Sequence, residues 1–96
     1  METMQKEITD KIEKITKEMK YHIAADYDYS NTGTFYICDK MLLVYFSVKF
    51  NFQAGYVTFK ILDADNKMLH DLHVNYNEIP NFLGAYSEIL DEHRNG

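Results

Sequence analysis

The chain has 96 residues, of which 46% are hydrophobic and 26% charged, and its formal net charge is −5. This size fits one domain over residues 1–96, and the composition excludes collagen-like, low-complexity and disordered classes. The apolar run over residues 41–48 is far shorter than the roughly 20 residues that span a bilayer, and the N-terminus does not resemble a signal peptide. A single cysteine, Cys38, has no internal disulfide partner, so we expect a cytoplasmic protein.

The first predicted element is an amphipathic helix over about residues 4–22. Apolar residues recur there in steps of three and four, which is helical spacing: Met4, Ile8, Ile12, Ile15, Met19 and Ile23. Four acid–lysine pairs spaced four residues apart add about 0.2–0.5 kcal/mol each. A single narrow stripe of this length favours packing on a sheet over a coiled coil.

From residue 21 onward the apolar pattern has a period of two, which predicts strands. The expected strands cover about residues 23–29, 34–38, 41–52, 55–62 and 68–76, and the helix could instead continue into the first of them. In the central hairpin a Gln53–Ala54 link would pair Phe52 with Gly55. In the hairpin before it, a turn at Asp39–Lys40 would pair Ile37 with Leu42.

A second helix is predicted over about residues 78–93, with Asn77 as its cap and Pro80 in its first turn. The expected fold is therefore α+β: a two-layer sandwich of an N-terminal helix, a four- to five-stranded antiparallel meander and a C-terminal helix. Both helices should cover one sheet face. The other face should be open, with these residues pointing outward: Tyr36, Cys38, Tyr45, Ser47, Lys49, Asn51, Tyr56, Thr58 and Lys60.

The sequence contains no pattern typical of a catalytic, metal or cofactor site. His70 and His73 are three residues apart in a strand and so point to opposite faces. The segment Asp63–Lys67 begins like a calcium loop, but Lys67 and Met68 replace an oxygen ligand and the turn glycine. We therefore expect a protein that is not an enzyme and binds neither metal nor cofactor.

The remaining signals are acidic residues and tyrosines. Residues 1–20 carry equal numbers of acids and lysines, so residues 21–96 hold the whole −5. An acidic surface of this kind can occupy a basic, nucleic-acid-binding groove of another protein. The candidate contact residues are five acids with three tyrosine anchors: Asp26, Asp28, Asp63, Asp65, Asp71, Tyr27, Tyr29 and Tyr56.

In this profile the chain resembles small phage-encoded inhibitors such as anti-CRISPR proteins and other DNA mimics. The shared features are a short acidic domain, an amphipathic first helix, an antiparallel sheet and no catalytic motif. The resemblance implies a non-enzymatic inhibitor that acts in the host-cell cytoplasm and binds a basic nucleic-acid-binding protein such as a CRISPR effector.

An alternative function is single-stranded nucleic-acid binding on the open sheet face. There three tyrosines could stack on bases while two lysines contact phosphates: Tyr36, Tyr45, Tyr56, Lys49 and Lys60. The portion from Phe35 to His93 loosely resembles the Whirly type of single-strand binder, although a net charge of −5 disfavours this function. The same face could also form a homodimer through Tyr45 and Tyr56.

Overall fold

A computed structural model describes residues 2–27 and 31–95. Helix α1 (Glu2–Glu18) comes first and helix α2 (Ile79–Asn95) last. The five strands between them are β1 (His22–Tyr27), β2 (Thr32–Cys38), β3 (Val44–Phe52), β4 (Tyr56–Asp63) and β5 (Met68–Asn75). The predicted α+β fold is confirmed, and the end of the predicted first strand, residues 28 and 29, lies outside the described residues.

Helix α1 ends four residues before the predicted boundary at residue 22, because a left-handed residue closes its last turn. Lys20 has a φ of 68°. Its N–H donates to the Lys17 carbonyl at 2.9 Å, and the Tyr21 N–H donates to the Thr16 carbonyl at 3.2 Å. These bonds satisfy carbonyls that lack partners inside the helix and turn the chain into β1. Apolar spacing continues to Ile23, so periodicity alone does not locate this end.

The strands form one antiparallel sheet in chain order, β1-β2-β3-β4-β5, which is the predicted meander. Residues 41–43 were predicted to begin the third strand, but they form a turn and β3 begins at Val44. As a result Ile37 pairs with Phe46 rather than with Leu42. A register shift follows directly between Ile37 and Cys38, which is where the turn takes up its extra residues.

The predicted register of the β3–β4 hairpin is wrong by two residues. Phe52 pairs with Val57, not with Gly55. Gly55 has a φ of 87° and belongs to a two-residue turn that the Gln53 N–H closes on the Tyr56 carbonyl at 2.8 Å. That conformation suits glycine and ends the strand. A two-residue shift leaves every side chain on its predicted face.

Both helices contribute to one hydrophobic cluster on the same face of the sheet. The ring of Phe82 in α2 stacks on Phe59 in β4 with centroids 3.9 Å apart. Thr16 in α1 and Tyr86 in α2 share a hydrogen bond of 2.6 Å. The buried hydrophobic residues of the strands are Phe35, Ile37, Cys38, Phe46, Val48, Phe50, Phe52, Val57, Phe59, Ile61 and Val74. All but Cys38 belong to that cluster, so the helices lie over the sheet face that alternation predicted to be apolar.

The two helices run in the same direction across the sheet. Gln5, near the start of α1, donates to Asn31 beyond β1, whereas His93, near the end of α2, contacts Phe46 at the start of β3. Both helices therefore end where β2 turns into β3 and β4 into β5. We call this end of the molecule the turn end; its turns are Asp39–Leu43 and Asp63–Lys67.

The start of α2 differs slightly from the prediction. A 3₁₀ turn, Tyr76–Glu78, precedes the helix, which begins at Ile79. Asn77 lies inside that turn, and the Asn75 side chain donates to the Glu78 carboxylate at 2.8 Å. The 3₁₀ turn tightens the connection from β5 into the helix.

Candidate partner-binding surfaces

The sheet face turned away from the helices is the open face, made of Tyr36, Tyr45, Lys49, Asn51, Tyr56, Thr58 and Lys60. These seven residues are exposed or half-buried, as predicted. Lys49 of β3 pairs directly with Lys60 of β4, and both are exposed. Asp71 of β5 lies directly opposite Lys60 on its other side, so one carboxylate partly offsets the charge of the two lysines.

Two residues predicted for the open face are buried instead. Cys38 is 1% exposed and Ser47 is 4% exposed. Cys38 follows the register shift in β2, and its Sγ lies 3.5 Å from the His22 carbonyl oxygen. Ser47 is flanked across the strands by Tyr36 and Leu62, whose larger side chains cover it. Alternation places a residue on a face, but the size of its neighbours decides its exposure.

Two of the three open-face tyrosines contact other rings. Tyr56 stacks on His73 of β5 with centroids 4.1 Å apart and planes 13° apart. Tyr45 makes an edge contact with Tyr21 at 5.7 Å. One face of the Tyr56 ring is therefore occupied, and a partner can use only the other.

The predicted acidic residues do not gather in one place. Asp26 is exposed on β1 and Asp71 is exposed on β5, at opposite edges of a five-stranded sheet and therefore roughly 19 Å apart. Asp28 and Tyr29 lie outside the described residues. Tyr27 pairs through its backbone with Gly33, and its side chain is not among those described.

Asp63 shapes a turn rather than presenting a free carboxylate. Its Oδ1 accepts the N–H groups of Asp65 and Lys67, both at 2.9 Å. The Asn66 N–H donates to the Asp63 carbonyl at 3.0 Å, and Asn66 has a φ of 63°. Asp65, also a predicted contact residue, is exposed on this turn.

The turn between β2 and β3 has the same architecture. Asp39 Oδ1 accepts the N–H groups of Met41 and Leu43 at 2.8 and 2.9 Å, and the Leu42 N–H donates to the Asp39 carbonyl at 3.0 Å. Leu42 occupies the left-handed position with a φ of 64°. Position by position, Asp39–Leu43 and Asp63–Lys67 are two copies of one turn that differ in their side chains.

The turn between β2 and β3 exposes three consecutive large apolar side chains. Met41 is 82% exposed, Leu42 66% and Leu43 65%, and we call these three residues the apolar tip. The prediction of a strand over residues 41–52 missed this exposure, because Leu42 was expected to pair with Ile37 inside the hairpin. The sequence did contain a signal for this turn: Asp39 lies five residues before the start of β3, as Asp63 lies five residues before the start of β5.

A cavity of about 360 Å³ opens at the turn end beside the apolar tip. Tyr21, Tyr45, Phe46 and Cys38 are among its lining residues, and so are Asp39 and Lys40, which directly precede the tip. Burial, with a smaller contribution from the Asp39 charge, raises the pKa of the Cys38 thiol. The thiol is therefore protonated at neutral pH and acts as a weakly polar part of the wall.

The excess negative charge lies on one side of the molecule. Strands β4 and β5 pair with each other, and Phe59 of β4 stacks on Phe82 of α2. Residues 56–95, which contain these elements, carry seven acids against three bases, so they account for four of the five excess charges. We call residues 56–95, with β4, β5, α2 and the turns between them, the acidic half.

No protein-family model, no curated protein and no solved structure matches the chain. Within residues 2–27 and 31–95, no helix combines the length and the apolar composition that crossing a membrane requires.

Proposed function

We propose that this protein is a non-enzymatic inhibitor that binds another protein, with its acidic half occupying a basic, nucleic-acid-binding groove as a DNA mimic does. The one-sided charge carries this proposal, because four of the five excess charges lie on elements that pack together. A concentrated field of one sign speeds association with an oppositely charged groove and excludes the groove's own ligand. The expected class of target is a host defence nuclease such as a CRISPR effector.

Within the acidic half, the expected contact groups are exposed carboxylates and one aromatic pair. Asp65 and Asp71 are exposed on the β4–β5 hairpin and Glu88 on α2, where they can meet Lys and Arg side chains. The Tyr56–His73 stack offers a rigid apolar anchor on the same hairpin. Asp63 keeps its role in the turn, and Asp26 lies on β1 outside the acidic half.

A competition assay tests the proposal. A purified CRISPR effector loaded with guide RNA is mixed with fluorescent target DNA, and the protein is titrated in at low salt. The variant Asp65→Asn/Asp71→Asn/Glu88→Gln should lower the association rate at least about tenfold, with a smaller loss at high salt. The matched control removes three exposed acids from α1 instead: Glu7→Gln/Asp10→Asn/Glu18→Gln. Equal effects of the two variants would show that only total charge matters and would remove the acidic half as the binding surface.

Single-stranded nucleic-acid binding is a second candidate function, which the direct Lys49–Lys60 pair on the open face favours. Like charges side by side repel, and a bound phosphate would relieve the repulsion that remains beside Asp71, the cross-strand partner of Lys60. Tyr36 on β2 and the Tyr56–His73 stack on β4 and β5 share the open face, with β3 between them, and each can stack on a base.

Fluorescence anisotropy with single-stranded DNA and RNA at about 50 mM salt tests this second function. Lys49→Gln/Lys60→Gln should abolish saturable binding, whereas Lys11→Gln/Lys17→Gln on α1 should not. If the wild-type protein does not bind either nucleic acid, the second function is discarded.

A further inference from the structure

The apolar tip contains a residue type that its backbone conformation disfavours. The two copies of the turn share hydrogen bonds and a left-handed fourth residue, with φ values of 64° and 63°. Asparagine, found at position 66, tolerates that conformation, whereas a branched side chain such as leucine is strained in it. The strained residue at position 42 is also 66% exposed, so core packing does not explain it. Strain of this kind is often found at functional sites.

The surroundings of the tip indicate what covers it. Asp39 and Lys40 line the turn-end cavity and lead directly into the tip, so the tip and the cavity are adjacent on one surface. The cavity volume of about 360 Å³ lies within the range of small-ligand sites, about 300–1,000 Å³, and admits aliphatic side chains. Rings of Tyr21, Tyr45 and Phe46 line it. Polar residues, among them Lys20, Lys40 and His93, complete the lining. An apolar projection beside a recess lined in part by aromatic rings is a patch that two copies can share about a two-fold axis.

We propose that two copies of this chain associate through a two-fold axis at the turn end, so that the apolar tip of each copy enters the cavity of the other. A two-fold axis near Asp39 and Lys40 places each tip over the opposite cavity and closes the assembly at a dimer. The proposal does not depend on the inhibitor function, which uses the acidic half.

The charge distribution agrees with this arrangement. The tip and most of the cavity lining belong to residues 2–55, which carry eight acids against seven bases. Because these residues are nearly neutral in sum, like-charge repulsion at the contact itself is small. Lys20 and Lys40 are exposed and line the cavity together with Asp39, so its lining carries charges of both signs.

The area available predicts a weak dimer. Each of the three tip side chains can bury on the order of 100 Å² of apolar surface. The exposed cavity wall is smaller than the tip, so two tips and two cavities bury on the order of 800 Å², less than the roughly 1,200 Å² of a standard specific interface. We therefore expect a dissociation constant on the order of 100 µM.

Sedimentation equilibrium of the whole chain between about 1 µM and 1 mM tests the dimer, because this range spans the expected dissociation constant. The informative variant, Met41→Asp/Leu42→Asn/Leu43→Lys, gives the tip the side chains of the turn at Asp63–Lys67. It should fold, because this chain already builds the same turn with those side chains, and it should stay monomeric with a dissociation constant raised at least about a hundredfold. Its thermal midpoint should not fall, since asparagine relieves the strain at position 42.

Two results would overturn the proposal. One is a wild-type protein that remains monomeric up to about 1 mM, which would leave the tip to a different protein or to a lipid surface. The other is a dimer that persists unchanged in the triple variant. A relocation control separates specific docking from general stickiness: the triple variant also receives Asp65→Met/Asn66→Leu/Lys67→Leu, which moves the apolar side chains to the other turn. This protein should be monomeric although its apolar composition is restored, and recovery of the dimer would count against the cavity as the docking site.

Discussion

Tyr86 joins the two helices through a hydroxyl group that is almost fully buried. The residue is 1% exposed, and its hydroxyl lies 2.6 Å from Thr16 Oγ1. Thr16 Oγ1 also donates to the Ile12 carbonyl at 2.7 Å. Because a threonine hydroxyl has a single proton, Tyr86 is the donor in their shared bond. This bond fixes the position of α1 relative to α2. Without it, the buried hydroxyl of Tyr86 would lack a hydrogen-bond partner and would destabilise the fold.

The buried Tyr86 hydroxyl predicts a loss of stability in alkaline solution. Burial raises its pKa to about 12, whereas the unfolded value is about 10. Above pH 10 the unfolded chain releases this proton and the folded chain does not, so stability is lost between about pH 10 and pH 12. Urea unfolding at about pH 8 and pH 11 should show the wild type losing about 1 kcal/mol more than Tyr86→Phe. The same loss in both proteins would assign the alkaline transition to other groups.

Lys20, like Leu42, has a left-handed backbone conformation that its residue type disfavours. It is exposed and has a φ of 68°, a position where glycine ends most helices of this kind. Lys20→Gly should therefore raise the free energy of unfolding by about 0.5–1 kcal/mol, measured by urea denaturation. The neighbouring substitution Lys17→Gly, inside the helix, should lower it by a similar amount. A destabilised Lys20→Gly would mean that the lysine side chain itself holds the helix end.

At the scale of elements, turns rather than strands account for the differences between prediction and structure. The strand faces follow from alternation and are correct for Phe46, Val48 and Phe50. The register between strands depends on which residues form the turn. The prediction placed Gly55 in the strand opposite Phe52, whereas its φ of 87° places it in the turn. A turn of five residues that begins at Asp39 likewise removes residues 41–43 from the strand.

Alanine substitutions at two glycines test whether the positive φ of Gly55 is required for the hairpin turn, because we expect them to change the free energy of unfolding in opposite directions. A Cβ added at Gly55 or at Gly84 meets nothing within 4 Å, so only backbone conformation differs between them. Gly55→Ala should destabilise by about 1–2 kcal/mol because its φ is 87°. Gly84→Ala, in the interior of α2, should stabilise by about 1 kcal/mol. Chemical denaturation of the two variants measures both values, and a neutral Gly55→Ala would mean that the turn has a different conformation.

At the scale of the whole molecule, one hydrophobic cluster connects both helices with the sheet. The Phe59–Phe82 stack, with centroids 3.9 Å apart, links the sheet to α2, and Ile12 extends the same cluster into α1. We therefore expect helix and sheet to unfold together in one transition.

Thermal unfolding of wild type and Phe59→Ala checks this cooperativity. Removing the ring should cost about 3–5 kcal/mol, a large part of the about 5–15 kcal/mol that such domains possess. Far-ultraviolet circular dichroism, which reports the helices, and near-ultraviolet dichroism, which reports aromatic packing, should give coincident midpoints in each protein. Separate midpoints in the wild type would show that α1 or α2 unfolds independently.

The proposed sites were only partly visible before the structure. The seven open-face residues follow from alternation, which is a local property of the chain. The five acids were grouped because they share a charge, yet Asp26 and Asp71 lie at opposite sheet edges and Asp63 is used in a turn. Strand order and helix placement decide which charges share a side, and neither can be read from spacing.

The sequence by itself determined the type and order of the elements, the apolar face of each and the absence of a recognisable catalytic motif, while it left the number of strands at four or five. These depend on periods of about two and 3.6 residues, which are set within a single element. Only the tertiary structure decided the hairpin register, the end of α1, the exposure of Met41–Leu43 and the position of the cavity beside them. These depend on left-handed residues and on contacts between segments far apart in the chain, so they arise from the balance of the whole fold.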